Sequence, residues 1–244
     1  MSEDREFLTS GRDAGVDRRA FLRAAGRTAV GVSALALTGC YSVGLPSQPP
    51  LPDETFDYDL AYAALPDGDF TWPAINYKAT DRQYWRQIVD YDSKPTGARP
   101  GSIVVDPYNR FLYWILSPKK ALRYGVGVGK AGFAWAGDAE IRVKRVHPLW
   151  RPPQEMIARK PSLRQYWEEG MEPGLKNPLG ARAMDLWQGN TDTLFRIHGT
   201  PEPSSIGTNA SSGCIRMWHQ DVIDLFERVP LRTKVTVLGA ETKA

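Results

Sequence analysis

The chain has 244 residues, 42% of them hydrophobic and 24% charged, which is enough for one sizeable domain or two small ones and excludes a disordered, collagenous or multi-spanning protein. Its 31 basic and 28 acidic residues leave a formal charge of +3, so no strong field steers it toward nucleic acid. Eight Trp and ten Tyr suit a ring-lined groove and a packed β core equally, and composition names no ligand.

Residues 1–39 read as an address. Asp17-Arg18-Arg19-Ala20-Phe21-Leu22-Arg23 resembles a twin-arginine export signal, with Asp17 where Ser or Thr is more usual. Ala24 to Leu37 follows, small and apolar but broken by Gly26, Arg27 and Gly31. It is too short and too weakly apolar to span a membrane comfortably, and it suits a signal h-region. Leu37-Thr38-Gly39-Cys40 resembles the lipobox of bacterial lipoproteins, which implies cleavage before Cys40 and a diacylglycerol on its thiol. An acylated Cys40 carries more than one chain, enough for stable anchoring. The expected location is therefore the periplasm, tied to a membrane, and Cys214 is left as a free thiol in an oxidising compartment.

Residues 40–56 hold Pro46, Pro49, Pro50 and Pro52 and read as an extended spacer. Residues 57–98 read as an N-terminal extension packing on the main domain: an aromatic-rich coil (Tyr58, Tyr62, Phe70, Trp72, Tyr77), then a short helix from Asp81 to Val89 with Asp81 as cap. No chemistry is visible in it.

Residues 99–239 carry the strand signals. Gly101 to Val105 and Phe111 to Leu116 flank the turn-forming Asp106-Pro107-Tyr108-Asn109-Arg110 and predict a hairpin. Ser117 to Lys120 makes the next turn, before a strand over Ala121 to Val128. Further strands are expected over Ala139 to Val146, Thr193 to Ile197 and Lys234 to Leu238. Helices are expected over Pro153 to Lys160 and Gln220 to Arg228, the latter stopped by Pro230. The fold class is mainly β, a sandwich or barrel with a few short helices. Gly127-Val-Gly-Lys-Ala-Gly132 matches G-x-G-x-x-G, but Phe133 to Gly137 is a poor helix opening, so a glycine-rich turn allowing close backbone approach is the better account than a dinucleotide site.

The chemistry concentrates in His198 to Cys214. A cysteine attacks a carbonyl as thiolate, so it needs a base or a positive environment to lower its pKa, and His198 can serve if the loop between them folds back. Gly213 leaves backbone N–H groups free to face an oxyanion. Each piece alone is weak: a lone Cys is most often a small buried hydrophobe, and His147, His198, His219 and Cys214 lack any close metal-ligand pair, so no metal is expected.

The combination His198-Gly199-Thr200, Ile206-Gly207 and Ser211-Ser212-Gly213-Cys214-Ile215-Arg216, with Asn177 to Ala181 upstream, resembles the L,D-transpeptidase catalytic domain family of bacterial peptidoglycan enzymes over roughly Arg99 to Leu238. Ser212 stands where many members carry a second histidine. The resemblance implies an L,D-transpeptidase-like fold, Cys214 as nucleophile and His198 as general base, the Gly199 carbonyl orienting the imidazole, and Gly213 and Cys214 N–H groups as oxyanion hole. It places Thr200, Ser211, Ser212 and Arg216 at the substrate; for Arg216 a carboxylate-binding or loop-fixing role is implied, and a purely structural one is equally open. The implied substrates are peptidoglycan tetrapeptide stems, with an amine acceptor such as diaminopimelate or a Lys of an outer-membrane lipoprotein, and no cofactor. An L,D-carboxypeptidase or endopeptidase on the same residues, and a non-catalytic peptidoglycan-binding lipoprotein, are the competing readings.

Overall fold

The computed structural model describes residues 48–129, 135–209 and 213–240; residues 1–39, where an export signal is expected, Cys40, Ser211 and Ser212 lie outside them. Helix α1 (Tyr58–Ala61) is capped by Asp57, whose carboxylate accepts the Leu60 N–H. A small hairpin follows, β1 (Leu65–Asp67) against β2 (Phe70–Trp72). Next come 3-10 turns at Tyr77–Ala79 and Arg82–Tyr84 and strand β3 (Gln87–Asp90).

The catalytic-motif half of the chain supplies the rest. In order it forms β4 (Ile103–Asp106), β5 (Phe111–Ser117), β6 (Lys120–Gly125), β7 (Gly127–Val128), β8 (Gly137–Val146) and α2 (Gln154–Arg159). Then come β9 (Arg182–Gln188), β10 (Thr191–Gly199), β11 (Ile215–Met217), α3 (His219–Arg228) and β12 (Lys234–Val237). Ten strands join in one mixed sheet, ordered β3-β6-β5-β4-β12-β8-β9-β10-β11-β7, in which β4–β12 and β10–β11 run parallel. The expectation of a mainly β fold with few short helices holds. Val222 and Leu225 of α3 share one buried cluster with Leu112 and Leu122 near one edge and Met184 and Ile197 toward the other, so the sheet wraps its apolar face around this helix.

The predicted hairpin forms, with Ile103 opposite Trp114 and the Asp106 carboxylate accepting the Tyr108 and Asn109 N–H groups in the turn. Gly127 is used for close approach: a β-carbon there would lie 2.5 Å from the Ser205 carbonyl oxygen. Lys130 to Ala134, the second half of the glycine motif, lie outside the described residues.

The helix expected over Asp81 to Val89 does not form. Only Arg82–Tyr84 winds, without a cap bond from Asp81, and the chain then extends as β3 along the β6 edge, Ile88 opposite Leu122. The Gln87 amide donates to the Arg82 and Trp85 carbonyls, closing the turn where a helix would continue. Tyr84 and Trp85 pack instead with Tyr62, Tyr77 and Trp218.

Beneath that aromatic cluster lies a buried polar group. Asp224 takes Arg86 at 2.6 Å and Arg228 at 2.8 Å, and accepts from the Tyr124 hydroxyl at 2.6 Å. Asp221, fully buried, is left with the Tyr62 hydroxyl at 3.4 Å and Arg86 Nε at 3.7 Å. Burial pushes its carboxyl up to about 7, Arg86 opposing and Asp224 reinforcing the rise. The native protein therefore keeps this proton between roughly pH 4 and 7 while the unfolded chain releases it, so this group's contribution makes stability fall as pH rises through that window. Asp221→Asn is expected to lessen the loss of thermal stability between pH 5 and pH 8 by on the order of a few kcal/mol. An identical pH 5 to pH 8 difference in melting temperature for both proteins would contradict this.

Candidate functional site

The parallel pairing of β10 with β11 brings the two ends of the motif together. His198 lies opposite Arg216, Ile197 opposite Ile215, and Cys214 immediately precedes β11. Because side chains alternate across a strand, His198, Arg216 and Cys214 share one face. The antiparallel partner β9 adds Asp185 opposite Arg196 and Ala183 opposite His198 on that face, and β8 adds Val143 and Arg145. The other face carries Met184, Ile197, Ile215 and Met217, buried against α3, and Lys144, whose ammonium donates to the Phe226 and Val229 carbonyls at the end of that helix. Cys214, sixteen positions after His198 in sequence, is thus returned to the strand beside it.

His198 is buried, and its Nδ1–H donates to the Gly199 carbonyl at 2.6 Å. That bond fixes the tautomer, leaving Nε2 unprotonated and free to accept a proton. Burial lowers the imidazole pKa to about 4, the Gly199 bond opposing and the Arg216 and Arg196 charges adding to the fall, so His198 is a neutral base at pH 7. Cys214 is a free, half-buried thiol. Burial raises its pKa, only partly offset by the Arg196 backbone N–H and the Arg196 and Arg216 guanidinium groups.

The expectation that the surroundings lower the thiol pKa is therefore reversed in the resting protein: desolvation outweighs the neighbouring positive charges. Thiol and imidazole are both neutral near pH 7, and the proton must move as the thiol attacks. Iodoacetamide labelling of Cys214 at pH 7 is expected to be slower than that of an ordinary exposed thiol and to keep rising through pH 9. Fast labelling with a plateau below pH 7 would indicate a thiolate–imidazolium pair instead.

Gly213 is buried with φ +88°, a left-handed conformation that a side chain would strain. Gly199 is needed for close approach, since a β-carbon there would meet His219 Nδ1 at 2.8 Å. Thr200 is buried and its hydroxyl accepts the Glu202 N–H at 3.1 Å, shaping the turn after β10. Arg216 pairs with Glu202 of the turn after β10 at 2.7 Å. Asn177 organises the approach to β9: its amide donates to the Pro148, Met171 and Glu172 carbonyls while its oxygen accepts the Leu179 N–H.

Three residues of this neighbourhood carried no signal in the sequence. Asp185, almost fully buried, joins Arg145 at 2.6 Å and Arg196 at 2.8 Å, and Arg196 also pairs with Asp192 at 2.8 Å. His219 packs behind Gly199. None belongs to the linear motif, and each is recruited by strand register or helix placement. Among the described residues no group of three or more His, Cys, Asp or Glu could hold a metal ion, and no helix is long and apolar enough to cross a membrane.

The model of the YkuD family, described as the L,D-transpeptidase catalytic domain, matches residues 100–237, the span that holds all ten strands of the large sheet but β3. A Fuscovulum blasticum protein named "Putative L,D-transpeptidase in ATP synthase subunits region ORF 5" is 31% identical over 157 residues, covering 63% of this chain and 75% of that one. The "Probable L,D-transpeptidase YbiS" of Escherichia coli K12 is 26% identical over 62% of this chain, which spans 48% of that protein's length. A solved Brucella melitensis structure, described as a probable carnitine operon oxidoreductase CaiA, is 47% identical over 67% of this chain and 99% of its own, with a TM-score of 0.45. On the family model and the sequence relatives, this chain belongs to the YkuD family of L,D-transpeptidase catalytic domains.

Proposed function

We propose that the protein is a cysteine-dependent L,D-transpeptidase that acts on peptidoglycan tetrapeptide stems. The observation that carries this reading is the pairing of β10 with β11, which sets a tautomer-fixed, neutral His198 on the same sheet face as the free thiol of Cys214. In the acylation half, Cys214 Sγ attacks the carbonyl of the L-centre of diaminopimelate as its proton passes to His198 Nε2. The carbonyl oxygen becomes an oxyanion facing the Gly213 and Cys214 N–H groups, and the Gly199 carbonyl stabilises the imidazolium through Nδ1–H. The tetrahedral species collapses to a thioester as the C–N bond to D-Ala breaks and His198 returns the proton to the leaving amine. In the second half an amine attacks the thioester, His198 takes its proton, and the thiol is regenerated.

Ser211 and Ser212 belong to this reading as groups flanking the thiol, Thr200 as a substrate-side residue, and Arg216 as the loop clamp that also presents positive charge near the reacting carbon. The sequence supports export on the twin-arginine signal, lipidation at Cys40, and anchoring of residues 99–239 in the periplasm through the proline-rich spacer, which suits an acceptor in the wall or on an outer-membrane lipoprotein.

The test is intact mass and product analysis after incubation with a tetrapeptide stem, with and without an amine acceptor. Acylation of the protein, release of D-Ala and an amide-linked product in the presence of the amine are expected. Free D-Ala in both arms with no amide product would replace the transferase by a hydrolase on the same residues, and no acylation at all would overturn the enzymatic reading.

A further inference from the structure

The His198 imidazole is held by one backbone group, the Gly199 carbonyl, and the residues behind that peptide belong to no linear motif. The His219 ring is wedged there. A β-carbon at Gly199 would lie 2.8 Å from His219 Nδ1 and 3.3 Å from Val222 Cγ1, and one at Gly180 would run into His219 Cε1. Both glycines bring backbone directly onto the imidazole. Trp72 of β2, fully buried, packs against the same ring at a centroid distance of 4.3 Å and an interplanar angle of 35°.

The β1–β2 hairpin that supplies Trp72 is itself clamped to the same strand end. Asp67 accepts Trp72 Nε1–H at 2.8 Å, takes both Arg182 terminal nitrogens at 2.7 and 2.9 Å, and lies 2.8 Å from His147 Nε2. Arg182 also donates to the Ala181 carbonyl at 2.9 Å, and the Ala181 N–H points at His219 Nδ1 at 3.4 Å. The contacts therefore run without a break from Asp67 and Trp72 through His219 to the Gly199 peptide and so to His198. Residues 57–98 show no chemistry in sequence, yet one of their side chains stands three contacts from the base.

We propose that Trp72 and His219 are positioning residues for the reaction: their stack fixes the Gly199 peptide, and through its carbonyl the orientation of His198. This rests on the reading of His198 as the base. The planar ring is what the site uses: a flat side chain packs on the indole at 4.3 Å and leaves room for the Gly180 and Gly199 backbones at its Nδ1–Cε1 edge, whereas a branched aliphatic of similar volume pushes one of these neighbours away. A misplacement of the imidazole by a fraction of an ångström to about 1 Å costs on the order of 10- to 100-fold in rate without touching donor binding.

The experiment compares His219→Leu with His219→Phe, and Trp72→Leu with Trp72→Phe, by the time course of Cys214 acylation from a tetrapeptide donor. Donor concentration and pH from 4 to 9 are varied, and thermal unfolding verifies that each protein is folded. The Leu variants are expected to lose about 10- to 100-fold in the acylation rate at saturating donor while KM stays within about 2-fold, and their acid limb is expected to move to higher pH as water reaches His198. The Phe variants, which keep a ring in the stack, are expected to recover most of the rate and the original pH profile. If a Leu variant does not fold, the other pair decides. Leu variants with wild-type rate and pH profile, or Phe variants as impaired as the Leu ones, would overturn the proposal. A wild-type protein that does not acylate would instead strike the reading of His198 and Cys214.

Discussion

Cys214→Ala is expected to abolish acylation by a tetrapeptide donor and all turnover, a loss of at least about 10³-fold, while the fold stays intact. The side chain sits one residue before a three-residue strand and belongs to none of the hydrophobic core clusters, so deleting its one sulfur removes little packing. Ile215 and Met217, which do anchor that strand in the core, are untouched. Intact mass after donor exposure and thermal unfolding read the two parts separately. An acyl adduct on the Ala variant would place the nucleophile elsewhere and refute the assignment; a folded variant with residual D-Ala release near the wild-type level would do the same.

The second large effect is expected from His198→Gln, which keeps a polar side chain beside the thiol but removes the proton acceptor. Acylation at pH 7 should fall by about 10²- to 10⁴-fold, because the thiol pKa is raised by burial and almost no thiolate exists without a base to take its proton. The pH dependence separates this from simple misfolding. In the wild-type protein the base is lost only as pH falls toward about 4, where the buried imidazole is finally protonated, so the rate should be flat from pH 6 to 8. In the Gln variant the rate should instead climb with hydroxide across the whole range, following the small thiolate population. Equal rates at pH 7 would remove His198 from the mechanism.

His198 also bears on stability, and with a sign opposite to that of Asp221. Its pKa, like that of buried His219, is lowered by burial to about 4, so the native state releases these protons while the unfolded chain still holds them between roughly pH 6.5 and 4. Stability from the two imidazoles is present above about pH 6.5 and is lost as pH falls through that window. The site is thus held neutral at a cost that appears only in acid, which suits a base that must accept a proton near neutrality.

The linear motif is sufficient to propose a reacting pair because the candidate nucleophile, base and glycines lie within one segment, and a β-hairpin or an amphipathic helix such as α3 announces itself by local periodicity. The strands over Ile103–Asp106, Phe111–Ser117 and Gly137–Val146 were legible for the same reason. In sequence β3 reads as the end of a helix, since Tyr84, Trp85 and Ile88 satisfy helical spacing as well as they satisfy an aromatic turn followed by an edge strand; only the open β6 edge decides between them. β11 is three residues long, too short to show any period, and β9 places polar Arg182 and Gln188 at the two ends of the same face that carries Met184 and Leu186, so its sequence shows no clean alternation.

What the sequence by itself determined was the mainly β class and the family resemblance, and with the latter the proposal of Cys214 and His198 as the reacting pair. What only the tertiary structure decided was everything that depends on distance across the chain. The protonation state of the pair follows from burial, which the Cys214 neighbours in sequence do not express. The pairing of Asp185 with Arg196 follows from strand register. The approach of Trp72 to the back of the base follows from packing between residues 147 positions apart, Trp72 and His219, whose rings attract by shape and contact and leave no periodic trace in the chain.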